Sequence, residues 1–297
     1  MTNYLFISNS SDFKINNNII NQINSILHSE NIQFTNREIK KNDFYEWILN
    51  KKIIKNFTKE RIKKNFINLP IDINFLKIVS IRKKKILICD MDSTIIKEES
   101  LDEIAEEAGI GDEIKNITKR AMKGDLDFKD ALFERIKLLN NYPLENIFRL
   151  NTKIQINDGA KELVKKMKNK SCITVLISGG FSPSVSYVAN KIGFDYYNCN
   201  NFLYKIKNRR IVLNGFIQKP ILDKNAKLDI TKSYLEKFDL TLNDVISVGD
   251  GANDVDLIKS SGIGVSFKGK KILNDVADVI FNHTNLRGLL YIQDYKI

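Results

Sequence analysis

Residues 86–94 read Ile86-Leu87-Ile88-Cys89-Asp90-Met91-Asp92-Ser93-Thr94, an apolar run followed by two acids with one residue between them. Four consecutive apolar residues without polar alternation suit a strand buried on both faces. In extended chain, residues two apart point the same way, so Asp90 and Asp92 crowd one spot at the strand's end. Like charges that close raise one another's pKa, and the pair therefore calls for a cation or a shared proton. A solvated turn can also carry two spaced acids. The strand that precedes them favours a site.

Three further runs repeat this grammar downstream: Ile173–Ser178 (ITVLIS), Val245–Gly249 (VISVG) and Gly264–Phe267 (GVSF). Apolar β-branched runs alternating with helical segments indicate a parallel sheet, whose sites gather beyond the carboxyl ends of its strands. The second run leads into Ser178-Gly179-Gly180-Phe181-Ser182-Pro183. With Ser182 as N-cap and Pro183 in the first turn, this stretch predicts an exposed helix N-terminus whose N–H groups, with the Ser178 hydroxyl, suit phosphate oxygens. The third run leads into Gly249-Asp250-Gly251-Ala252-Asn253-Asp254. Asp254 lies one helical turn past Asp250, so both carboxylates can face one cation, and hard oxygen ligands with few companions suit Mg²⁺. Residues 100–150 break the pattern with amphipathic stretches such as LDEIAEEAG (101–109) and FKDALFERIKLL (128–139). They predict a helical cap inserted after the first strand.

Ahead of this unit, 4–8, 31–39 and 71–79 read as strands, and 17–28 and 58–67 as helices. This is a small α+β module, with a boundary near residue 84 in the basic run Arg82–Lys85. Residues 1–85 carry 16 Lys+Arg against 7 Asp+Glu, which is most of the chain's net charge of +11. A solvated basic surface accounts for that excess. A nucleic-acid-binding module is the competing reading, with Phe44, Tyr45, Trp47, Phe57 and Phe66 as stacking candidates. Their three-to-four spacing instead suggests helix faces in a small core. No stretch approaches the roughly 18 apolar residues of a membrane span, and no secretory leader pattern opens the chain, so a cytoplasmic location is expected. Cys89, Cys172 and Cys199 are odd in number without CxxC spacing, which argues for reduced thiols over a disulfide framework or a zinc site.

Taken in order, DMDST (90–94), ISGGF (177–181), NAKLDI (225–230) and GDGAND (249–254) resemble the haloacid dehalogenase (HAD) superfamily, over about residues 85–297. Within it, DMDSTIIKEESLDEIAEEAG (90–109) and AMKGDLDFKDALFERIKLL (121–139) are similar to the phosphoserine phosphatase family. The resemblance implies an α/β fold, a Rossmann-like core at 85–297 with a helical cap inserted at about 99–155, preceded by the 1–84 module. It implies Mg²⁺-dependent hydrolysis of O-phosphoserine through an aspartyl-phosphate, the last step of serine biosynthesis, and it leaves a homodimer open. Asp90 would be the nucleophile and Asp92 the acid–base group. Asp90, Asp92 (through its carbonyl), Asp250 and Asp254 would serve the metal. Ser178, Gly179 and Lys227 would hold phosphoryl oxygens, and Asn253 would orient the lysine or the substrate. Glu99 would meet the substrate ammonium and Arg135 its carboxylate, with Phe128 and Met122 lining the lid. A sister phosphatase or phosphotransferase would share every core motif. Lys271 stands where the family usually has proline, a departure that touches local loop shape.

Overall fold

The computed structural model describes residues 2–51, 53–79, 81–123, 125–222 and 226–295; the side chains of Met122, Lys123 and Phe128 lie outside the described part. The first unit runs β1 (Thr2–Ser8), α1 (Asn17–Ser29), β2 (Phe34–Lys40), β3 (Phe44–Leu49), α2 (Asn56–Asn65) and β4 (Asp72–Ile78). Its antiparallel sheet has the order β2-β3-β1-β4. The aromatic spacing at 44–47 had suggested a helix face, and this is corrected: the segment is strand β3. Both faces of β3 are covered, so the alternation that marks a half-exposed strand is missing. Trp47 faces α1 and α2 among Leu5, Ile7 and Ile23, while Phe44 joins the second unit's core beside Tyr291.

The second unit begins with β5 (Ile86–Cys89), from which the chain leaves into the cap: α3 (Ser100–Glu107), α4 (Gly111–Lys123), α5 (Phe128–Leu138) and α6 (Leu144–Asn151). It returns through α7 (Ala160–Lys168), β6 (Ile173–Phe181), α8 (Ser182–Ile192) and β7 (Tyr196–Asn200). Next come a hairpin, β8 (Phe202–Lys207) and β9 (Arg210–Ile217), and then α9 (Ala226–Lys237) and β10 (Val245–Gly249). The end of the chain supplies α10 (Val255–Ser260), β11 (Ile263–Phe267), α11 (Lys271–Asn274), β12 (Val279–Phe281) and α12 (Gly288–Tyr291). The six-stranded sheet has the order β12-β11-β10-β5-β6-β7 and every pairing in it is parallel. β5 is therefore central, flanked by β10, which leads into GDGAND, and β6, which ends in ISGGF. All four β5 residues are fully buried. Lys271, at the family's proline position, opens α11 and pairs with Asp275 on the surface.

Two features were not foreseen. The β8–β9 hairpin extends the lid: the Asn141 N–H donates to the Leu213 carbonyl, the Leu213 N–H donates to the Tyr142 carbonyl, and Phe181 stacks on Phe202 at 3.8 Å. The two sheets are also joined. The Asn74 side chain on β4 donates to the Ile280 carbonyl at 2.9 Å and accepts from the Ile280 N–H at 2.8 Å, standing in for a neighbouring strand along β12. Buried Asp72 accepts from the N–H groups of Asn282, His283 and Thr284 and from the Thr284 hydroxyl. Phe6, Phe44, Leu76 and Ile78 belong to the same apolar cluster as Leu87, Val265 and Leu289.

Candidate active site

Three strand ends meet at the site. Asp90 follows β5; its N–H is held by the Val248 carbonyl at 3.0 Å, and its Oδ1 accepts from the Met91 N–H at 2.8 Å. Asp250 and Asp254 follow β10, and one carboxylate oxygen each from Asp90, Asp250 and Asp254 lie within 4.8 Å of one another. Lys227, at the start of α9 and 1% exposed, bridges Asp90 at 2.7 Å and Asp254 at 2.6 Å. Gly249 makes this approach possible, because a Cβ there would lie 2.3 Å from the Asp254 carboxyl carbon. At the end of β6, the buried Ser178 hydroxyl accepts the Gly180 N–H at 2.9 Å, and the Asn200 side chain ties down the Gly179 carbonyl. Helix α8 starts at Ser182, one residue earlier than expected, so Ser182 is not its N-cap. Phe181 holds the cap position without a side-chain bond.

The electrostatics follow from burying acids together. Burial raises the Asp90 pKa well above the carboxylate range and Asp254 adds to the shift, against the pull of Lys227. Burial works against the Lys227 charge, but Asp254 and Asp90 outweigh it and its pKa is raised. Asp250 is pushed up to about 6 by burial, with Asp254 and Glu99 contributing. Asp92 is pushed up to about 7 by burial and by Glu99, against hydrogen bonds from Ser100. One ammonium among three clustered carboxylates leaves negative charge in a low-dielectric place, and a hard divalent cation bound by oxygen ligands answers that excess. The donor set fits Mg²⁺.

At the cap side, Glu99 takes the Ser93 hydroxyl on its carboxylate at 2.7 Å, with Ser93 in the left-handed region at φ 53°. The two serines that contact the site's acids, Ser93 and Ser100, went unnoticed in the sequence because each is an ordinary residue beside a conspicuous one. Arg135 on α5 is partly buried and donates to the Ala131 carbonyl. Among the described residues no carboxylate lies within ion-pair distance of it. Its pKa is lowered by burial, although Asp102 and Glu99 act in the opposite direction. Asn253 is half-buried, its Oδ1 2.5 Å from where a Cβ on Gly251 would stand. The structure thus brings Asp90, Asp92, Ser178, Lys227, Asp250, Asp254 and Asn253 together, with Glu99 acting on Asp92 and Asp250 and Arg135 within electrostatic reach of Glu99. The assignments of Met122 (α4) and Phe128 (α5) to the lid fall on side chains outside the described part.

A central parallel strand ending in an acid, a buried lysine, a glycine-rich helix entry and a helical lid define an α/β hydrolase of phosphoryl groups. Residues 84–262 match the family model for haloacid dehalogenase-like hydrolases. Over 208 residues the chain is 40% identical to a phosphoserine phosphatase of Archaeoglobus fulgidus, covering 70% of this chain and 59% of that protein. Over 209 residues it is 36% identical to the phosphoserine phosphatase of Methanocaldococcus jannaschii, 70% of this chain and 97% of that one. A solved phosphoserine phosphatase with a phospho-aspartyl intermediate analogue superposes with a TM-score of 0.63 at 36% identity, over 70% of this chain and 98% of that one. A HAD family hydrolase of Salmonella enterica serovar Typhi shares the fold of the whole chain, at a TM-score of 0.85 and 22% identity, over 100% and 99% of the two chains. The chain belongs to the haloacid dehalogenase-like hydrolases, in the phosphoserine phosphatase family.

Proposed function

We propose that the protein hydrolyses O-phosphoserine to serine and phosphate with Mg²⁺, as the last step of serine biosynthesis in the cytoplasm. The observation that carries this reading is the pairing of the Asp90–Lys227–Asp254 cluster with Glu99 and with Arg135 on the cap, which has no ion-pair partner among the described residues. The cluster accounts for phosphoryl transfer. The two cap residues account for an amino acid, one charge for each of its ionic groups.

Ser178, the Gly179 N–H and Lys227 hold the phosphoryl oxygens while an Asp90 carboxylate oxygen attacks phosphorus in line with the departing serine oxygen. Asp92, pushed up to about 7, is poised to be protonated and gives its proton to that oxygen as the P–O bond breaks. Serine leaves, Asp92 accepts a proton from water, and the water attacks the phosphorus, releasing phosphate and restoring Asp90. Asp90, the Asp92 carbonyl, Asp250 and Asp254 would hold Mg²⁺, which when bound supplies positive charge against the phosphoryl oxygens. Glu99 receives the substrate ammonium, and Arg135 grips its carboxylate in a fork. Asn253 orients Lys227 or the substrate.

Phosphate release from a panel of phosphomonoesters, with and without Mg²⁺, tests this. Phosphoserine is expected to exceed unbranched alkyl phosphates by at least about a hundredfold in kcat/KM. Equal rates across the panel would refute the substrate assignment.

A further inference from the structure

Asp92 has to present one carboxylate oxygen to the leaving group and keep it there through two proton transfers. It lies in the loop after β5, and among the described residues the hydrogen bonds on its carboxylate all come from Ser100, eight residues further on. The Ser100 N–H donates to Asp92 Oδ1 at 2.9 Å, and the Ser100 hydroxyl reaches the same carboxylate. Ser100 is the first residue of α3 and is 7% exposed. The first N–H groups of a helix have no partner within it, and Glu99 at the N-cap makes no side-chain capping bond. Asp92 therefore caps α3 from outside the helix, at the end where the helix dipole favours negative charge.

The second carboxylate oxygen is located by a neighbouring residue. A Cβ built on Gly180 would lie 3.1 Å from Ser178 Oγ, 3.2 Å from Ser100 Oγ and 3.3 Å from Asp92 Oδ2. These three polar atoms ring one point over the phosphate-binding turn. The Ser100 N–H fixes Oδ1, and Oδ2 faces the Gly180 and Ser178 side, where the reading above places the substrate.

We infer that Ser100 is the positioning residue for the acid–base carboxylate of Asp92. The inference deepens the reading above and rests on Asp92 as the acid–base group. It also explains how the cap acts on the chemistry. Adjacent residues at the start of its first helix set both ends of the substrate, Glu99 the ammonium and Ser100, through Asp92, the ester oxygen.

The test compares leaving groups. Serine is a poor leaving group that needs the proton, whereas p-nitrophenolate leaves without one, and kcat/KM reports only the steps up to loss of the leaving group. Ser100→Ala is expected to lower kcat/KM for phosphoserine about tenfold while p-nitrophenyl phosphate stays within twofold. Ser100→Thr, which keeps the hydroxyl, is expected to restore phosphoserine hydrolysis to within threefold. Ser100→Pro removes the N–H as well at a position where proline suits a helix, and the extended Glu99 backbone tolerates a following proline; a drop of about a hundredfold on phosphoserine alone is expected. Variants that keep the wild-type ratio of the two substrates, whether both fall or neither does, overturn the assignment of Ser100. A wild-type enzyme inactive on phosphoserine but active on the aryl ester would overturn the substrate reading, and its variants would still be scored on alkyl against aryl esters.

Discussion

Gly249→Ala puts a single methyl group against Asp254, one of the acids proposed to hold Mg²⁺. Gly249 is the last residue of β10, buried, and paired with Ser266 of β11. The added Cβ would lie 2.3 Å from the Asp254 carboxyl carbon and 2.4 Å from Oδ2, where ordinary contact begins at 3.4 Å. The carboxyl group has to retreat by about 1 Å, since a central strand held between neighbours cannot. That retreat stretches the 2.6 Å contact of Asp254 with Lys227, which also holds Asp90. Overpacking of this kind costs about 1–3 kcal/mol, leaving a folded protein. Misplacing a positioned group by about 1 Å costs about a hundredfold in rate. Steady-state kinetics on phosphoserine across a Mg²⁺ titration should show kcat/KM down by about a hundredfold and half-saturation by Mg²⁺ moved to higher concentration, with a cooperative melt retained. A variant within threefold of wild type at unchanged Mg²⁺ half-saturation would refute the argument that Asp254 is fixed by the absence of a side chain at 249.

Asp90→Asn keeps the shape and removes the attacking charge, and turnover should fall at least about a thousandfold, roughly 4 kcal/mol of barrier, with unfolding curves unchanged. Chelation should abolish activity and added Mg²⁺ restore it; Ca²⁺ should inhibit, its looser coordination misplacing the nucleophile, as phosphate-release assays will show. Arg135→Ala should raise KM for phosphoserine by the equivalent of about 2–5 kcal/mol while sparing an aryl phosphate without a carboxylate, and equal damage to both would remove the carboxylate contact. Arg82→Ala strands the fully buried Glu46 with Arg37 as its remaining partner and removes bonds to the Ile292 and Tyr291 carbonyls. Denaturant titration should show about 3 kcal/mol of lost stability with kcat unchanged.

The site was legible because its chemistry is concentrated in contiguous stretches at strand ends. Sites in parallel sheets gather beyond the carboxyl ends of the strands, and β6 and β10 lie on either side of β5, so motifs far apart in sequence converge. The first unit read less clearly. At 44–49, Phe-Tyr-Glu-Trp-Ile-Leu looks non-periodic because one face packs on α1 and the other on the second unit, with Glu46 fully buried between Arg37 and Arg82. A local pattern cannot announce a face whose partner lies some 240 residues away. The hairpin at 202–217 was missed for the converse reason: β8 is exposed beyond its first residue, so little apolar alternation marks it. Ser93 and Ser100 have no signature of their own, since their value comes from standing beside Glu99 and Asp92.

The join between the two sheets bears on how far the catalytic unit stands alone. β12 is a three-residue edge strand, and a bare edge exposes unpaired N–H and C=O groups. Asn74 supplies that edge with one donor and one acceptor, and Asp72 gathers the loop beyond it with four bonds. From that edge the effect reaches the site in two short steps. The Phe281 carbonyl holds the Lys268 N–H at 2.7 Å, and two residues later the Lys270 N–H holds the Asp250 carbonyl at 2.9 Å. The loop that fixes the backbone of Asp250 is thus anchored on the strand that β4 covers. Similarity to the family begins at residue 84, where the phosphoryl chemistry begins, but the surface that protects this strand is built earlier in the chain. The first unit therefore belongs to the support of the site, although none of its described residues stands in the site.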